Sequence, residues 1–426
     1  MTAPADTDPQ LTSWVPSAQG SPFPIQNLPY GVFSHDEEEP RVGVAIGDRV
    51  LDLAALAWAN LLEVPKAAQL FQATSLNPFL GRGRWTWQTV RRNISDLLSG
   101  VDPRLREDSR LSERALLVRD ELTLHLPFQP GDYVDFYSSL EHATNLGRLF
   151  RPDGDPLLPN WRHLPVGYHG RSSTVVVSGT PIIRPRGQRR PEPGGIPPFG
   201  PTEALDIELE LGFVTGPGNT LGTPIPADRA AEHIFGVVLV NDWSARDIQA
   251  WEYQPLGPFL GKSFATSVSP WVVPLEALAP HRVPHRAQEP EPLPYLRTTG
   301  DWAFDIDFEV VLQPAGGEPT TISRTNARRL YWSCAQQLAH TTVNGCAVRP
   351  GDLYASGTIS GSERGTEGSL IELTRRGAEP LTLPSGAQRT FLEDGDTVIL
   401  RGVAGGGGRP AIGLGEVVGT IAPAPT

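Results

Sequence analysis

The sequence predicts a mainly β protein of the α+β class, with two or three domains. Its 426 residues exceed what one ordinary core accommodates. Its 43 prolines and 44 glycines indicate many turns and short strands rather than long helices. The apolar fraction of 39% is sufficient to build the cores. We therefore expect short strands joined by turns, with few helices.

The N-terminal part predicts a small β-barrel. After a polar, Pro-rich start, YGVFS and RVGVAIGDRVLDLAAL predict short strands separated by turn residues. Helical patterns follow at residues 85–98 and 109–119, and the sequence changes character at residues 122–130. We expect a domain boundary there, which divides the chain into residues 1–120 and 121–426.

The second part predicts mostly strands separated by Gly and Pro. Its strand candidates are VVLVND, AFDIDFEVVLQP, SLIELTRR and TVILRGVA. The segments at residues 188–200 and 279–294 predict irregular loops without chemistry. A β-rich second domain follows from this pattern.

Charge and terminal sequence restrict the partners. A net charge of −12 argues against nucleic acid or an anionic membrane, since either requires a basic face. The start of the chain has no basic segment followed by an apolar run, and no stretch of about 18 apolar residues occurs. Cys334 and Cys346 form no CxxC pair, so neither a disulfide nor a zinc-thiolate site is expected. We expect a cytoplasmic protein.

LDIELELGF places carboxylates at every second position. In a strand, Asp206, Glu208 and Glu210 would share one face, opposite four apolar side chains. Like charges this close cost free energy unless solvent or a cation screens them. The pattern therefore fits a solvated sheet face or a site for a hard metal ion.

NDWSARDIQAWEYQPLGPFLGKS, residues 241–263, is the richest segment in polar chemistry. From Asp242, the residues Arg246, Gln249 and Tyr253 fall at helical spacing, which fits a pocket lining or an exposed polar helix. Lys262 is one of only two lysines among 36 basic residues, so a compact ammonium is favoured there over a guanidinium. The GKS string lacks the spacing and the preceding strand of a phosphate loop, and we exclude nucleotide binding.

GDYVDFYSSLEHATNLGRLF carries an acid and a histidine. Asp135 is predicted as a helix N-cap, with His142 two turns along the same face. Such a pair could serve catalysis, a metal or a local hydrogen bond. A serine hydrolase is disfavoured because no GxSxG motif is present, and Ser138 and Ser139 fall in the predicted helix.

Several blocks together span nearly the whole chain: PFPIQNLPYGVF, DFYSSLEHATN, LPNWRHLPVGYHGR, LDIELEL, NDWSARDIQAWEYQPLGPFLGKSF, VNGC, RPGDL, SGTISG and the late Glu372. These long, ungapped blocks resemble the fumarylacetoacetate hydrolase family in its full-length, two-domain form. The resemblance implies an N-terminal SH3-like barrel, a C-terminal mixed β-sandwich roll and a homodimer. It also implies hydrolysis of 4-fumarylacetoacetate to fumarate and acetoacetate, the last step of tyrosine and phenylalanine catabolism.

The resemblance further implies a role for individual residues. The metal ligands would be Asp135, Glu208, Glu210 and Asp242, with Lys262 and Thr266 beside a further cation site. The catalytic residues would be His142, Glu372, Arg246, Gln249 and Lys262. The substrate-binding residues would be Tyr137, Arg151, Tyr168, Arg246, Gln249, Tyr253 and Thr358. Asp206 lies outside the family's ligand set, so we expect it to face solvent or to lie behind the ligands.

These roles are chemically coherent. Four carboxylates, a divalent cation, Arg246 and Lys262 would together be neutral. Oxygen ligands favour Ca²⁺ or Mg²⁺, and no organic cofactor is expected. We expect His142, oriented by Glu372, to take a proton from the water that attacks the fumaryl-side carbonyl. Arg246, Gln249 and Lys262 would stabilise the alkoxide.

Two other functions stay open at this stage. Within the same superfamily, the chain could be a hydrolase or decarboxylase that acts on acylpyruvates or similar β-dicarbonyl acids. Alternatively, it could be a non-catalytic binding protein stabilised by calcium, in which His142, Glu372 and Lys262 would have no use.

Overall fold

The computed structural model describes residues 7–406 and 408–426. Near the N-terminus lies a five-stranded antiparallel sheet. Its strands follow the spatial order Leu116–Val118, Arg49–Asp52, Arg41–Ile46, Tyr30–Ser34 and Thr123–His125. The predicted strands YGVFS and RVGVAI are confirmed. Closure of this sheet into an SH3-like barrel stays a prediction.

Most of the helices are short, and three of them, Leu53–Trp58, Ala67–Phe71 and Ser109–Ala115, contact the first sheet. The α-helices of the described residues are Leu53–Trp58, Ala67–Phe71, Asn77–Leu80, Arg84–Ser99, Arg104–Glu107, Ser109–Ala115, Leu140–Phe150, Ala230–His233, Arg246–Glu252, Cys334–Thr342 and Leu370–Leu373. Short 3₁₀ turns occupy Pro16–Ala18, Arg119–Glu121, Ser172–Thr174, Ala227–Arg229, Ala279–His281, Pro294–Leu296 and Ala327–Arg329. The LDLAAL segment, predicted as a strand, turns helical because Asp52 accepts hydrogen bonds from the backbone N–H groups of Ala54 and Ala55.

A second, eight-stranded sheet forms the centre of the molecule. Seven of its strands follow the order Gly167–Gly170, Tyr133–Phe136, Leu353–Ala355, Leu209–Thr215, Ile234–Asp242, Thr266–Val268 and Val175–Val177. The eighth, Val273–Pro274, also pairs with Ile234–Asp242. The sheet is mixed, since two of its pairings are parallel. All nine residues of Ile234–Asp242 are buried, which explains the unbroken apolar run in the sequence.

A third sheet of five strands completes the mainly β fold predicted from the sequence. Its order is Thr320–Asn326, Ile306–Gln313, Thr397–Gly406, Arg409–Ala422 and Ile182–Ile183. Two-stranded ribbons join Arg186–Gln188 to Phe199–Pro201, Leu205–Asp206 to Ser244–Ala245, Arg282–Val283 to Ala303–Phe304, and Leu381–Thr382 to Gln388–Arg389. No helix of the described residues is both long enough and apolar enough to cross a membrane.

The first sheet and the central sheet share a core. The Tyr30 ring stacks on Phe79 at 5.3 Å and meets Phe235 edge-on at 5.4 Å. The Tyr30 backbone N–H also donates to Val272 O at 2.9 Å. The strand Thr123–His125 pairs with the first sheet, and the division at residues 120 and 121 stays a prediction.

Candidate active site

Four carboxylates meet where the central strands end. One oxygen of each lies within 4.8 Å of an oxygen of every other, and all four residues are buried. They are the four predicted metal ligands Asp135, Glu208, Glu210 and Asp242. Carboxylates this close repel one another unless protons or a cation neutralise them. A solvated sheet face for Glu208 and Glu210 is therefore wrong.

Strand pairing explains the meeting. Asp135 lies opposite Ala355 in one parallel pair, and Asp242 lies opposite Thr266 on the other side of the sheet. Between them, the backbone N–H of Asp242 donates to Glu208 O at 3.2 Å. Residues distant in the sequence thus lie at the same end of neighbouring strands.

Two oxygens of this cluster are open. Asp135 Oδ1 and Glu210 Oε1 are buried without a hydrogen-bond partner among the described residues. Burial and the nearby Asp242 carboxylate raise the pKa of Asp135 well above its usual range. Burial and the Asp135 carboxylate likewise raise the pKa of Glu210. The unpartnered oxygens and the raised pKa values both show that a positive charge would stabilise this cluster. Carboxylate oxygens are the usual ligands of hard divalent ions. The residues therefore fit such an ion.

Lys262 brings one positive charge to the cluster. Its Nζ donates to Asp242 Oδ2 at 2.7 Å and also to Glu208 Oε2. Thr266 Oγ1 donates to the other Asp242 oxygen at 2.7 Å. Burial by itself raises the pKa of Glu208, but the charges of Lys262 and Arg246 hold it below its usual range. Because this ammonium lies between two carboxylates, the GKS string serves the cluster rather than a phosphate.

Arg246 is the second buried cation. Its Nη1 donates to Glu208 Oε1 and its Nε to Asp206 Oδ2, both at 2.7 Å. Gln249 Oε1 lies 3.3 Å from the same Nη1, so these two helical residues do share one face. Arg246 Nη2 is buried and has no partner among the described residues. It is the free donor of this guanidinium, whose other nitrogens bond Glu208 and Asp206.

Asp206 alters the predicted charge balance. It is 0% exposed, so the solvent-facing alternative is wrong. With it, five buried carboxylates face Arg246 and Lys262. With all five ionised, three negative charges are left over, of which a divalent ion would cancel two. The neutral balance predicted from the sequence did not count Asp206, so neutrality requires one of the five carboxylates to hold a proton.

His142 and Glu372 form a buried pair. His142 Nδ1 lies 2.7 Å from Glu372 Oε2, and both side chains are almost fully buried. Burial by itself raises the pKa of Glu372. The electrostatic attraction of His142, together with hydrogen bonds from His142, Ser369 and Asn145, nevertheless holds that pKa below its usual value. An ionised Glu372 accepts the Nδ1 proton, which leaves the other ring nitrogen free to take a proton.

The local structure around His142 differs from the prediction. Asp135 lies in a strand, and the helix Leu140–Phe150 begins five residues later with Ser139 as its N-cap. Ser139 Oγ accepts from the backbone N–H of His142 at 3.3 Å. The predicted cap at Asp135 is therefore wrong, and so is the helical placement of Ser138 and Ser139.

Two other segments also differ. Glu372 lies in a helix of four residues rather than in a strand. LDIELELGF is divided into the strands Leu205–Asp206 and Leu209–Thr215. In both cases the side chains still face the site, because tertiary pairing overrides the local pattern. The predicted strand that ends at Asp242 is confirmed, and the helix after it begins at Arg246.

Seven substrate-binding residues were predicted, and two of them, Arg246 and Gln249, are described above. Three more are buried or partly buried near other site residues. Tyr137 meets the His142 ring edge-on, with centroids 5.3 Å apart. Tyr168 donates its hydroxyl to Asp242 Oδ2 at 2.9 Å. Thr358 Oγ1 is buried without a partner among the described residues. Tyr168 thus contacts the cluster directly, whereas Tyr137 contacts the His142 ring.

The other two predicted substrate-binding residues lie at the surface. Arg151 caps the helix that carries His142 and donates to Pro156 O at 2.6 Å. Tyr253 follows the end of the helix begun by Arg246 and is 44% exposed. Among the described residues, neither side chain forms a hydrogen bond with the carboxylate cluster, so contact with a ligand requires a ligand that extends toward the surface.

Sequence reasoning missed the groups that hold Glu372. Asn145 Nδ2 donates to Glu372 Oε1 at 2.9 Å, and Ser360 and Ser369 donate to Oε2 at 2.9 and 2.7 Å. Two signals were available, since Asn145 follows His142 at helical spacing and Ser369 precedes Glu372 in an S-x-x-E pattern. Ser360 carried no such signal.

Fold and site together define a class of protein, a mainly β hydrolase with a carboxylate cluster for a divalent ion beside a histidine–glutamate pair. The comparisons with known proteins agree. Residues 26–127 match the family described as Fumarylacetoacetase N-terminal, and residues 133–422 match Fumarylacetoacetate (FAA) hydrolase C-terminal. The chain belongs to the fumarylacetoacetate hydrolase family.

Curated relatives match nearly end to end. The fumarylacetoacetase of Rattus norvegicus is 52% identical over 417 residues, which cover 97% of this chain and 99% of that protein. The fumarylacetoacetase of Arabidopsis thaliana is 49% identical over 419 residues, with the same coverage. The crystal structure of Cg1458 with inhibitor aligns with a TM-score of 0.51 at 13% identity, over 93% of this chain and all of that one, and supports the fold alone.

Proposed function

We propose that this chain hydrolyses 4-fumarylacetoacetate to fumarate and acetoacetate, the last step of tyrosine and phenylalanine catabolism. The observation that carries the proposal is the buried His142–Glu372 pair beside the four-carboxylate cluster. Identity of about half to curated fumarylacetoacetases over 97% of the chain supports the substrate. A binding protein without catalysis would have no use for this buried pair.

His142 is the proposed general base. With Nδ1–H donated to Glu372, the other ring nitrogen takes a proton from water as the water oxygen attacks the fumaryl-side carbonyl carbon. The bond between that carbon and the acetoacetate carbon then breaks, and its electron pair leaves with acetoacetate. The proton held by His142 can return to that carbon, so the products are fumarate and acetoacetate.

Arg246, Gln249 and Lys262 are the proposed stabilisers of the alkoxide. Arg246 Nη2 is the buried donor without a partner, which makes it the first choice to face the oxyanion. Lys262 Nζ already lies between two carboxylates, so its charge acts mainly through the cluster. Removal of one such donor costs about 2.7 to 4 kcal/mol of transition-state stabilisation in measured cases.

The proposed cofactor is Ca²⁺ or Mg²⁺, held by Asp135, Glu208, Glu210 and Asp242. When bound, the ion would supply Lewis-acid stabilisation of the negative charge that develops on the leaving group. Thr266 and Lys262 contact Asp242 from the other side, and we propose that they support a further cation position. No organic cofactor is proposed.

A substrate panel tests the proposal against its closest rival. Absorbance assays would compare cleavage of fumarylacetoacetate with cleavage of acylpyruvates by the same preparation. We expect fast cleavage of fumarylacetoacetate and slow cleavage of acylpyruvates. The opposite order would favour the acylpyruvate hydrolase or decarboxylase, and no activity on either would favour the binding protein.

Three organisational features are also proposed. They are a homodimer, a cytoplasmic location, and domains at residues 1–120 and 121–426. Apolar side chains are exposed just after the helix Arg246–Glu252. Leu256 is 97% exposed and Phe259 is 67% exposed, which supports an association surface there. Light scattering on the purified protein would test the dimer, with a monomer mass as the contrary result.

A further inference from the structure

We infer that Asp206 is a positioning residue that fixes Arg246 relative to the Glu372–His142 pair. It is fully buried and accepts four hydrogen bonds. Oδ1 accepts from the backbone N–H groups of Ile207 and Leu370, both at 2.7 Å. Oδ2 accepts from Arg246 Nε at 2.7 Å and from the backbone N–H of Ile371 at 3.1 Å. The role rests on the proposed function.

These contacts separate Asp206 from the metal ligands. A carboxylate offers about four lone-pair positions, and the four N–H donors of Asp206 occupy them. Asp135 and Glu210, in contrast, each keep an open buried oxygen. Asp206 is also absent from the set of four whose oxygens lie within 4.8 Å of one another. It can therefore hold neighbouring groups in place but has no oxygen left for an ion.

The same carboxylate joins two halves of the site. Leu370 and Ile371 begin the four-residue helix that carries Glu372, which in turn holds His142. On the other side, Asp206 holds Arg246, whose Nη2 is the free donor. Charge-assisted bonds of this kind are short and directional, so Asp206 sets the separation between the base and the oxyanion donor.

Asp206→Asn tests the inference with almost no change in volume. The amide oxygen can still accept from Ile207 and Leu370, but the amide nitrogen would face the N–H groups of Arg246 and Ile371 as a second donor. We expect kcat for fumarylacetoacetate to fall about 10- to 100-fold, as for other groups that orient a reacting side chain. The metal content should change little, because Asp206 is not a ligand. KM should change less than kcat, because the proposed role of Arg246 Nη2 is to stabilise the oxyanion of the transition state.

Asp247→Asn is the matched control. Asp247 is the next residue after Arg246, and its carboxylate accepts from Thr202 and from the backbone N–H groups of Glu203 and Ile248. None of these partners belongs to the active site, so kcat should stay at the wild-type value. Equal loss in both variants would overturn the inference.

A double-mutant cycle supplies a readout that a merely structural role would not give. In an Arg246→Gln background, Asp206→Asn should lower kcat by a smaller factor than in the wild-type background, because one of the two groups that it holds relative to each other is already gone. If the fold-loss of kcat in the double variant equalled the product of the fold-losses in the two single variants, the inference would be overturned. Loss of bound metal from Asp206→Asn would also overturn it. If Asp206→Asn does not fold, Asp206→Glu, which displaces the carboxylate by one methylene, should lower kcat with metal retained. Wild-type kcat in that variant would overturn it. An inactive wild-type protein would instead refute the proposed function.

Discussion

At the scale of single residues, the partners of each buried charge determine its role. Glu372 accepts from four side chains and Asp206 from four N–H groups. Asp135 and Glu210 each keep an open oxygen. Satisfied carboxylates orient their neighbours, whereas open ones attract a cation. This difference assigns Glu372 and Asp206 to orientation and Asp135 and Glu210 to metal binding.

His142→Ala should remove the general base. We expect kcat to fall at least about 10²-fold, within the range that positioned acids and bases contribute. Metal content should stay at the wild-type value, because the four clustered carboxylates are intact. His340→Ala is the control, since His340 bonds Tyr295 instead. Substantial residual turnover in His142→Ala would exclude it as the base.

Lys262→Arg should lower kcat by about 10-fold or more, as loss of an orienting contact typically does. A guanidinium is planar and larger than an ammonium, so it would not fit between Asp242 and Glu208. The chain offers a matched control in Lys66→Arg, because Lys66 is its only other lysine and is exposed. If both variants kept wild-type kcat, a specific need for the ammonium would be refuted.

At the scale of elements, the site is assembled from the ends of strands and from short helices. The backbone N–H of Gly357, just after the strand Leu353–Ala355, donates to Glu210 Oε2 at 2.9 Å. Gly357 has a φ of +77°, and an added Cβ would collide with the Phe136 carbonyl oxygen. The loop can therefore approach the cluster only with glycine at this position.

Gly357→Ala should destabilise the protein and weaken metal binding. Gly365→Ala is matched to it, since Gly365 has a φ of +81° and open space around it. Both variants carry the cost of positive φ, about 1 to 2 kcal/mol, but only Gly357→Ala adds the collision beside Glu210. Chemical denaturation and a metal titration would compare them. Equal losses in both assays would refute the stated role of this loop.

The sequence predicted these elements unevenly, for physical reasons. The strands at residues 30–34 and 234–242 were predictable because their apolar runs are bounded by turns. The helix of Glu372 was not, since four residues are too few to show a helical period. Asp206 bonds the backbone of Leu370, 164 positions away, and backbone partners leave no mark in a single sequence.

At the scale of the whole molecule, one aromatic cluster joins the first sheet to the central sheet. Phe235 is buried in the strand that ends at Asp242. It meets Trp87, Tyr30 and Phe79 edge-on at 5.2, 5.4 and 5.7 Å. The N-terminal part therefore supports the strand that carries a metal ligand.

Phe235→Ala should lower the free energy of unfolding by about 3 to 5 kcal/mol, the usual range for a buried Phe. Phe199→Ala is the control, since that ring is 66% exposed and its loss should cost little. Denaturant unfolding would measure both. A loss below about 1 kcal/mol, typical of a surface position, would show that the cluster does not stabilise the junction.

Removal of metal should make stability depend on pH in a defined direction. The pKa values of Asp135 and Glu210 lie above their ordinary 3.8 and 4.5 when no ion is bound. The folded protein then holds protons that the unfolded chain releases, so its stability falls as pH rises above those ordinary values. Bound metal requires the ionised forms and opposes this loss.

Thermal unfolding with and without chelator measures that effect. The difference in Tm should grow as the pH is raised from about 5 to 8, where more of the clustered carboxylates must ionise in the chelated protein. Groups outside the cluster titrate equally in the two samples, so their contribution cancels in the difference between the two Tm values. A difference that shrank with rising pH would contradict the assignment of these carboxylates to a metal.

Loss of fumarylacetoacetate absorbance, followed with and without chelator, tests the central claim most directly. We expect rapid loss with the metal-loaded protein, little loss after chelation, and recovery when Ca²⁺ or Mg²⁺ is restored. No hydrolysis by the metal-loaded protein, or hydrolysis unaffected by complete metal removal, would contradict the account.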